Sequence, residues 1–367
     1  MIKVAHSVKP NAHDAVEELK LQLGAVDPKV LLCFSSTHQE PHELLRLLNA
    51  AYPHALLSGA STAGEIVSGK VLKGGVVAMA IERDVVEKAV AVVVDDLGPR
   101  MDVDAAIANL EKHFGTTMAE LDPDQHVGIV ITDGLSGAEE RLIEAINEKT
   151  EIAFVGGSAG DDLKFEKTLV FSGKTVHERS AILLLMKVPR GFEVVKTQSF
   201  KPTGVVLEAT DVDVAHRKVV SFNGKPALEA YCRATGSIPE SVAESFLSYP
   251  VARMVGGEPF VRSPQRLDGN SIHFYSAIRK GETLAVMQAT DIVSDTTTAV
   301  EKGIADAGSV RGMIDFHCIL RAMELESKGL SQDYGAIFKD VPTIGFCTYG
   351  EAWTTHVNQT STILLFK

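Results

Sequence analysis

The chain has 367 residues, a net charge of −12, 45% hydrophobic and 23% charged residues. That length is enough for two or three domains, and the composition is that of a soluble globular protein with a large core. The acidic balance excludes the basic surface that nucleic acid needs. No apolar run reaches the ~18 residues of a membrane span, and the opening residues lack the apolar stretch of a signal peptide. Cys33, Cys232, Cys318 and Cys347 lie far apart with no CxxC pair. They read as reduced, buried thiols of a cytoplasmic protein.

In chain order, "KVLLCFSS" (29–36) is predicted as a buried strand. Thr37 is expected to cap the next helix, with Glu40 three positions on and Pro41 in its first turn. "ALLSGA" is a second strand, which enters the Gly-rich turn Gly59-Ala60-Ser61-Thr62-Ala63-Gly64-Glu65. "GVVAMAI" (75–81) and "KAVAVVV" (88–94) follow as strands. The middle of the chain repeats the order. "HVGIVITDG" (126–134) is strand and turn, Ser136 with Glu139 is a capping pair, and "EIAFVGGSAGDD" (151–162) enters a second Gly-rich turn. Gly59 and Gly156 are 97 residues apart, as are Val30 and Val127. A third copy runs from "GMIDFHCIL" (312–320) through the helical "RAMELESKGL" and the turn Gly345-Phe346-Cys347-Thr348-Tyr349-Gly350-Glu351 to "TSTILLFK". Between them, 200–310 holds the helix start "GKPALEAY" and two hairpin-like runs, "GNSIHFYSAI" and "ETLAVMQATD".

These elements predict an α/β or α+β protein. Mixed sheets are flanked by helices and built from repeated strand–helix–strand–Gly-turn units in two subdomains, 1–200 and 201–367. Glycines at the turns permit φ > 0 and close backbone approach. Their successive N–H groups are candidates for an anion-binding nest where two turns face each other across a domain interface. That assigns ligand contact to Ser61, Thr62, Gly64, Glu65, Gly157, Ser158, Thr348 and Glu351. The plainer reading is that the repeat preserves the fold and that Ser61, Thr62, Glu65, Thr348 and Glu351 bond local backbone.

The stretches "GASTAGEI", "TDGLSGAEE", "VGGSAGDDLKF", "NGKPALEAY", "FVRSP", "CILR" and "GFCTYGE…HVNQT" resemble, in order, the FIST family of bacterial sensory domains, N-terminal half then C-terminal half. Ala60 departs from the Cys found in many members. The resemblance implies a small-ligand-binding signalling domain acting on a separate partner such as a histidine kinase, and it allows a homo-oligomer. The "HVNQT" ending resembles the nitric-oxide-sensing NosP branch, which implies non-covalent haem b.

A haem sensor needs an axial ligand in an apolar pocket open on its other face. His317 lies inside the apolar "IDFHCIL" run and His356 in the "HVNQT" motif, so these are the candidate iron ligands, with His356 first. Cys347 and Tyr349 rank after them. Core histidines bonded to backbone are the plainer alternative. No CxxCH, HExxH or zinc-spaced set exists. Cys347 with His356 would also serve a thiol-dependent enzyme, though nothing supplies a third, orienting group. Without haem, the family resemblance leaves a sensor of a small metabolite such as an amino acid.

Overall fold

The computed structural model describes residues 1–367. It is a mixed α/β protein with 26% helix and 39% strand. Two compact units divide it. The larger holds Met1–Lys196, Thr297–Thr355 and Ser361–Lys367; the smaller holds Thr197–Thr296 and His356–Thr360. The units are interleaved along the chain, which returns to the larger one after Thr296.

One pattern is written three times in the larger unit: strand, helix, strand, helix, strand, short hairpin, closing strand. The first copy runs from Ile2–Ser7 to Val76–Ile81, the second from Lys88–Val94 to Ala181–Lys187, and the third from Phe192–Gln198 to Thr360–Phe366. The third copy carries every element too, with the segment holding the smaller unit inserted between its first strand and its first helix, Ile292–Ala307.

In each copy the two strands joined by the second helix are parallel: Val30–Ser36 with Leu56–Thr62, His126–Thr132 with Phe154–Ser158, and Gly312–Cys318 with Thr343–Thr348. The closing strand pairs antiparallel on the other side. The result is three six-stranded mixed sheets. Each hairpin, however, joins a sheet that is not its own. Glu65–Val67 pairs with Thr343–Thr348, Val170–Ser172 with Leu56–Thr62, and Glu351–Trp353 with Phe154–Ser158. The three copies thus exchange hairpins in a closed cycle.

Nearly continuous apolar runs make these strands because both faces are buried. Val30, Leu32 and Phe34 point to a central core that also takes Val127, Ile129, Ile131, Phe316, Phe346 and Phe366. The intervening Leu31 and Cys33 face the helices Ala12–Leu23 and Pro41–Ala51 and pack on Leu19, Leu44 and Leu48. Period-two alternation therefore serves two cores at once. Each such fully buried aliphatic or aromatic side chain contributes about 1.5–3 kcal/mol. Phe34 and Phe346, from different copies, meet with centroids 4.5 Å apart.

Two expected caps are not used. The helix after Val30–Ser36 starts at Pro41 and is capped by Glu40, whose carboxylate accepts from the His42 and Glu43 N–H groups. Thr37 instead gives its N–H and hydroxyl to Asp162. The helix Glu139–Asn147 has no side-chain cap; Ser136 donates to the Asp133 carbonyl, forming a local turn. In both places a short polar side chain donates to a nearby oxygen instead of accepting from the first N–H groups of the helix.

The smaller unit is an eight-stranded antiparallel sheet. The bulged 14-residue strand Phe200–Asp213 pairs with Thr283–Ala289 along its first half and with Lys218–Phe222 along its second. Helix Ala227–Thr235 covers a core of Leu207, Phe222, Tyr231, Phe246 and Phe274. Of the two runs read as hairpin-like, the first supplies the turn and second strand of a hairpin, with Ser271–Phe274 pairing Pro264–Asp268 upstream of the run. The second is a single strand between Phe200–Asp213 and Val251–Val255. Here the "HVNQT" motif acts as a buried strut. Arg262 donates to the His356 carbonyl at 2.9 Å, Ser276 bonds Asn358, Ser263 donates to Gln359 Oε1 at 2.6 Å, and Gln359 Nε2 donates to the Leu247 carbonyl.

Candidate functional site

The three Gly-rich turns meet inside the larger unit, not across a domain interface. Their contacts are cyclic. Ala63 N–H donates to Cys347 O at 3.4 Å, Gly160 N–H to Ser61 O at 3.0 Å, and Tyr349 N–H to Ser158 O at 3.2 Å. Two return bonds, Cys347 N–H to Gly64 O and Ser158 N–H to Gly350 O, close at 2.8 Å. The amides that an anion nest would need are thus spent on neighbouring turns. The motif's Thr and Glu bond each other: Thr62 donates to Glu65 at 2.5 Å and Thr348 to Glu351 at 2.6 Å. Glu65 also accepts from the Gly75 N–H at 2.9 Å. Burial outweighs both bonds and pushes its carboxyl up to about 8.

Gly157 packs on Thr348; an added Cβ would lie 2.5 Å from that methyl. Ser158 donates to Glu139. Ser61 donates to Gly160 O and accepts from Leu169 N–H. Of the expected ligand contacts, Ser61 and Gly64 line clefts, each a different one.

Near-symmetry breaks at one loop. In the first copy the hairpin begins directly after Gly64. In the second, residues 162–169 lie between the equivalent position, Asp161, and the hairpin, and the offset between closing strands widens from 97 to 105 residues. Asp162, Leu163 and Phe165 in this loop hold positive φ values of 56°, 63° and 55°. Such conformations are costly for non-glycine residues and concentrate at functional sites. Asp161 holds the loop by accepting the Phe165, Glu166 and Lys167 N–H groups and the Tyr349 hydroxyl. Burial raises its pKa, but these bonds more than offset that and hold it low. Tyr349 also accepts from Leu163 N–H and stacks on Phe165 at 4.9 Å.

The loop borders three clefts, among them a polar one and an apolar one. The polar one, about 480 Å³, opens at the carboxyl ends of the parallel strands Val30–Ser36 and Leu56–Thr62, the usual place for ligands in such sheets. Ser35, Ser36, Thr37, Gln39 and Ser61 line it, with Lys164 and Glu166 from the loop. Lys164 donates to Thr37 Oγ1 at 3.0 Å. Gln39 is 3% exposed; its Nε2 donates to Lys9 O, while its Oε1 has no partner. A buried acceptor without a donor costs about 1–3 kcal/mol, which a ligand N–H would recover. Sequence reading missed Gln39 and the loop. The change of offset was the available signal for the loop.

The residues singled out for haem sit as follows. His317 and His356 are each 1% exposed, and neither lines any of the principal clefts. His317 lies opposite Cys347 in the strand register and against the Tyr334 ring at 4.5 Å. Neither of its ring nitrogens makes a hydrogen bond, and burial, aided by Arg321, lowers its pKa well below 6.5. Cys347 is at the floor of the second, apolar cleft. Burial, with Glu65 nearby, raises its thiol pKa, which disfavours the thiolate a nucleophile needs. Tyr349 is committed to Asp161. As arranged here, these residues do not line a slot that fits a porphyrin.

The scaffold is a pseudo-symmetric α/β unit with clefts at its strand ends and one strained loop between them. Family models match the chain over residues 29–225 (FIST N domain) and 227–353 (FIST C domain), and the chain belongs to the FIST family. It is also similar to an uncharacterized protein of Methanocaldococcus jannaschii, 21% identical over 345 residues. That match covers 82% of this chain and 62% of the relative, so the chain spans under two thirds of that protein's length. No helix is long and apolar enough to cross a membrane.

Proposed function

We propose that the protein is a non-catalytic sensor whose ligand is a small polar metabolite, such as an amino acid, held in the polar cleft. The buried, partnerless Gln39 Oε1 carries this reading. Rotation of the buried Gln39 amide toward the cleft would bring this acceptor to a ligand ammonium or amide; the serine and threonine hydroxyls serve either role, and Lys164 offers a cation to a carboxylate. Closing the cleft over a ligand involves residues 162–169, so occupancy alters the loop's surface. A separate signalling enzyme such as a histidine kinase, reading that surface, completes the pathway; a ligand biases it only through differential affinity for two states. Calorimetric titration with a panel of amino acids tests the site. One member is expected to bind, and Gln39→Ala to weaken it at least tenfold. Absence of any binding, or full affinity in the variant, overturns the reading.

A second reading, nitric oxide sensing through haem b, is supported by His317, an imidazole with no hydrogen bond inside the protein. It requires the covering segment at Tyr334 to move. Haem titration decides it. A saturable Soret band that His317→Ala alters is the expected result on this reading, whereas no Soret band, or one unchanged in both His317→Ala and His356→Ala, removes these ligands.

A further inference from the structure

The copies of the repeat place a second cleft where the first predicts one. The polar cleft has the third residue of a Gly-rich turn, Ser61, at its floor, the hairpin Val170–His177 on one side and the start of helix Pro41–Ala51 on the other. The apolar cleft, about 390 Å³, is built from the equivalent parts of other copies. Cys347 stands for Ser61, the hairpin Glu65–Leu72 for Val170–His177, and helix Ile319–Ser327 for Pro41–Ala51. The scaffold is the same and the chemistry inverted. Where the first cleft offers Ser35, Ser36, Thr37 and Gln39, the second offers Ile319, Ala322, Met323 and Leu72.

We propose that this apolar cleft is a second binding site, for a small neutral apolar molecule the size of a bicyclic aromatic or a medium-chain alcohol. Three observations carry it. The volume falls within the range of small-ligand sites and is too small for a protein element. Leu163 and Met323, which border the cleft, are 41% and 39% exposed, so water now covers apolar groups that a ligand would shield. Gly64, at φ 134°, leaves the floor open at Cys347; a Cβ there would lie 3.1 Å from Sγ. Charge is not what the cleft offers. Its lysine, Lys73, is already paired with Glu326 at 2.6 Å, and Asp162 is occupied by Ser36 and Thr37. Of the basic residues that line the cleft, Lys73 is held by Glu326 and His38 is a single imidazole among Leu72, Ile319, Ala322 and Met323, which favours an uncharged ligand.

The probe is N-phenyl-1-naphthylamine, a neutral dye that fluoresces in apolar surroundings, titrated into the full chain and displaced by 1-octanol. A saturable rise with one dye per chain is expected. Ala322→Trp, which fills the cleft from a partly exposed position, should weaken the dye at least tenfold. Met323→Asp, which puts a charge at the border, should do likewise. Gln39→Ala, in the other cleft, should leave it unchanged, so this result is independent of the metabolite test. No saturable rise in the wild type overturns the proposal. So does unchanged affinity in Met323→Asp, or in an Ala322→Trp protein whose circular dichroism matches the wild type.

Discussion

Gly59→Ala, Gly156→Ala and Gly345→Ala are each expected to abolish the folded protein. The first glycine of every turn lies beside the parallel strand that precedes it, in register with Cys33, Val130 and Asp315. A Cβ at Gly59 would stand 1.8 Å from the Cys33 carbonyl oxygen, one at Gly156 1.8 Å from that of Val130, and one at Gly345 2.3 Å from that of Asp315. In each case the obstacle is backbone of a central strand, which cannot rotate aside as a side chain can. Relief would require two parallel strands to separate and give up hydrogen bonds in a close-packed core. A cost above about 4 kcal/mol, in the exceptional range for one methyl group, is expected. Gly115→Ala is the control. Its φ of 78° makes alanine awkward, but nothing lies within 4 Å, so about 1 kcal/mol is expected. Soluble yield and urea unfolding monitored by circular dichroism read the difference. A Gly156→Ala protein with a near-wild-type midpoint would show that the strands have slack.

The second large effect is on pH dependence. Glu65 has a folded pKa of about 8 against 4.5 for the free side chain. The folded state therefore binds its proton through a range where the unfolded chain has released it, and stability falls as pH rises. The contribution is fully present below pH 4.5 and is lost progressively up to about 8. Two other buried groups act at lower pH. Asp315, which burial raises to about 6, tapers off above that value. His317, held neutral in the fold, opposes stability only where the unfolded imidazole is protonated, below about 6.5. Free thiols of the unfolded chain titrate from about 8.5 upward. Between pH 6.5 and 8 the slope is chiefly that of Glu65, and unfolding free energy should fall by about 1.5 kcal/mol. Glu65→Gln keeps a carbonyl oxygen for the Gly75 N–H but cannot ionise, so it should flatten the slope. A wild type whose stability is level over that window, or a variant with an unchanged slope, would place the buried charge elsewhere.

The strands were legible in the sequence because burial on both faces writes them as unbroken apolar runs; 88–94 coincides with its predicted bounds. The three turns and the 97-residue offset were legible because glycine tolerates what other residues cannot. The exchange of hairpins was not. Strands such as Glu65–Val67 and Val170–Ser172 are three residues long, and local pattern says that a strand pairs, not with which copy. The function of the turns was also misjudged. Composition suggests free amides, whereas the symmetry that consumes them appears only in three dimensions. Gln39 was invisible for a related reason, since a partnerless acceptor is defined by what does not approach it.

Hairpin exchange also sets a timetable for synthesis. The strand Leu56–Thr62 lacks one neighbour until residues 170–172 emerge, and the hairpin at 65–72 has no sheet to join until residues 343–348 do. At about 5–20 residues per second that second wait lasts roughly 15–60 s. Through it, the first copy presents bare strand edges of the kind that recruit other chains. The unit cannot mature one copy at a time. A ribosome stalled in the third copy would leave the first two unfinished as well.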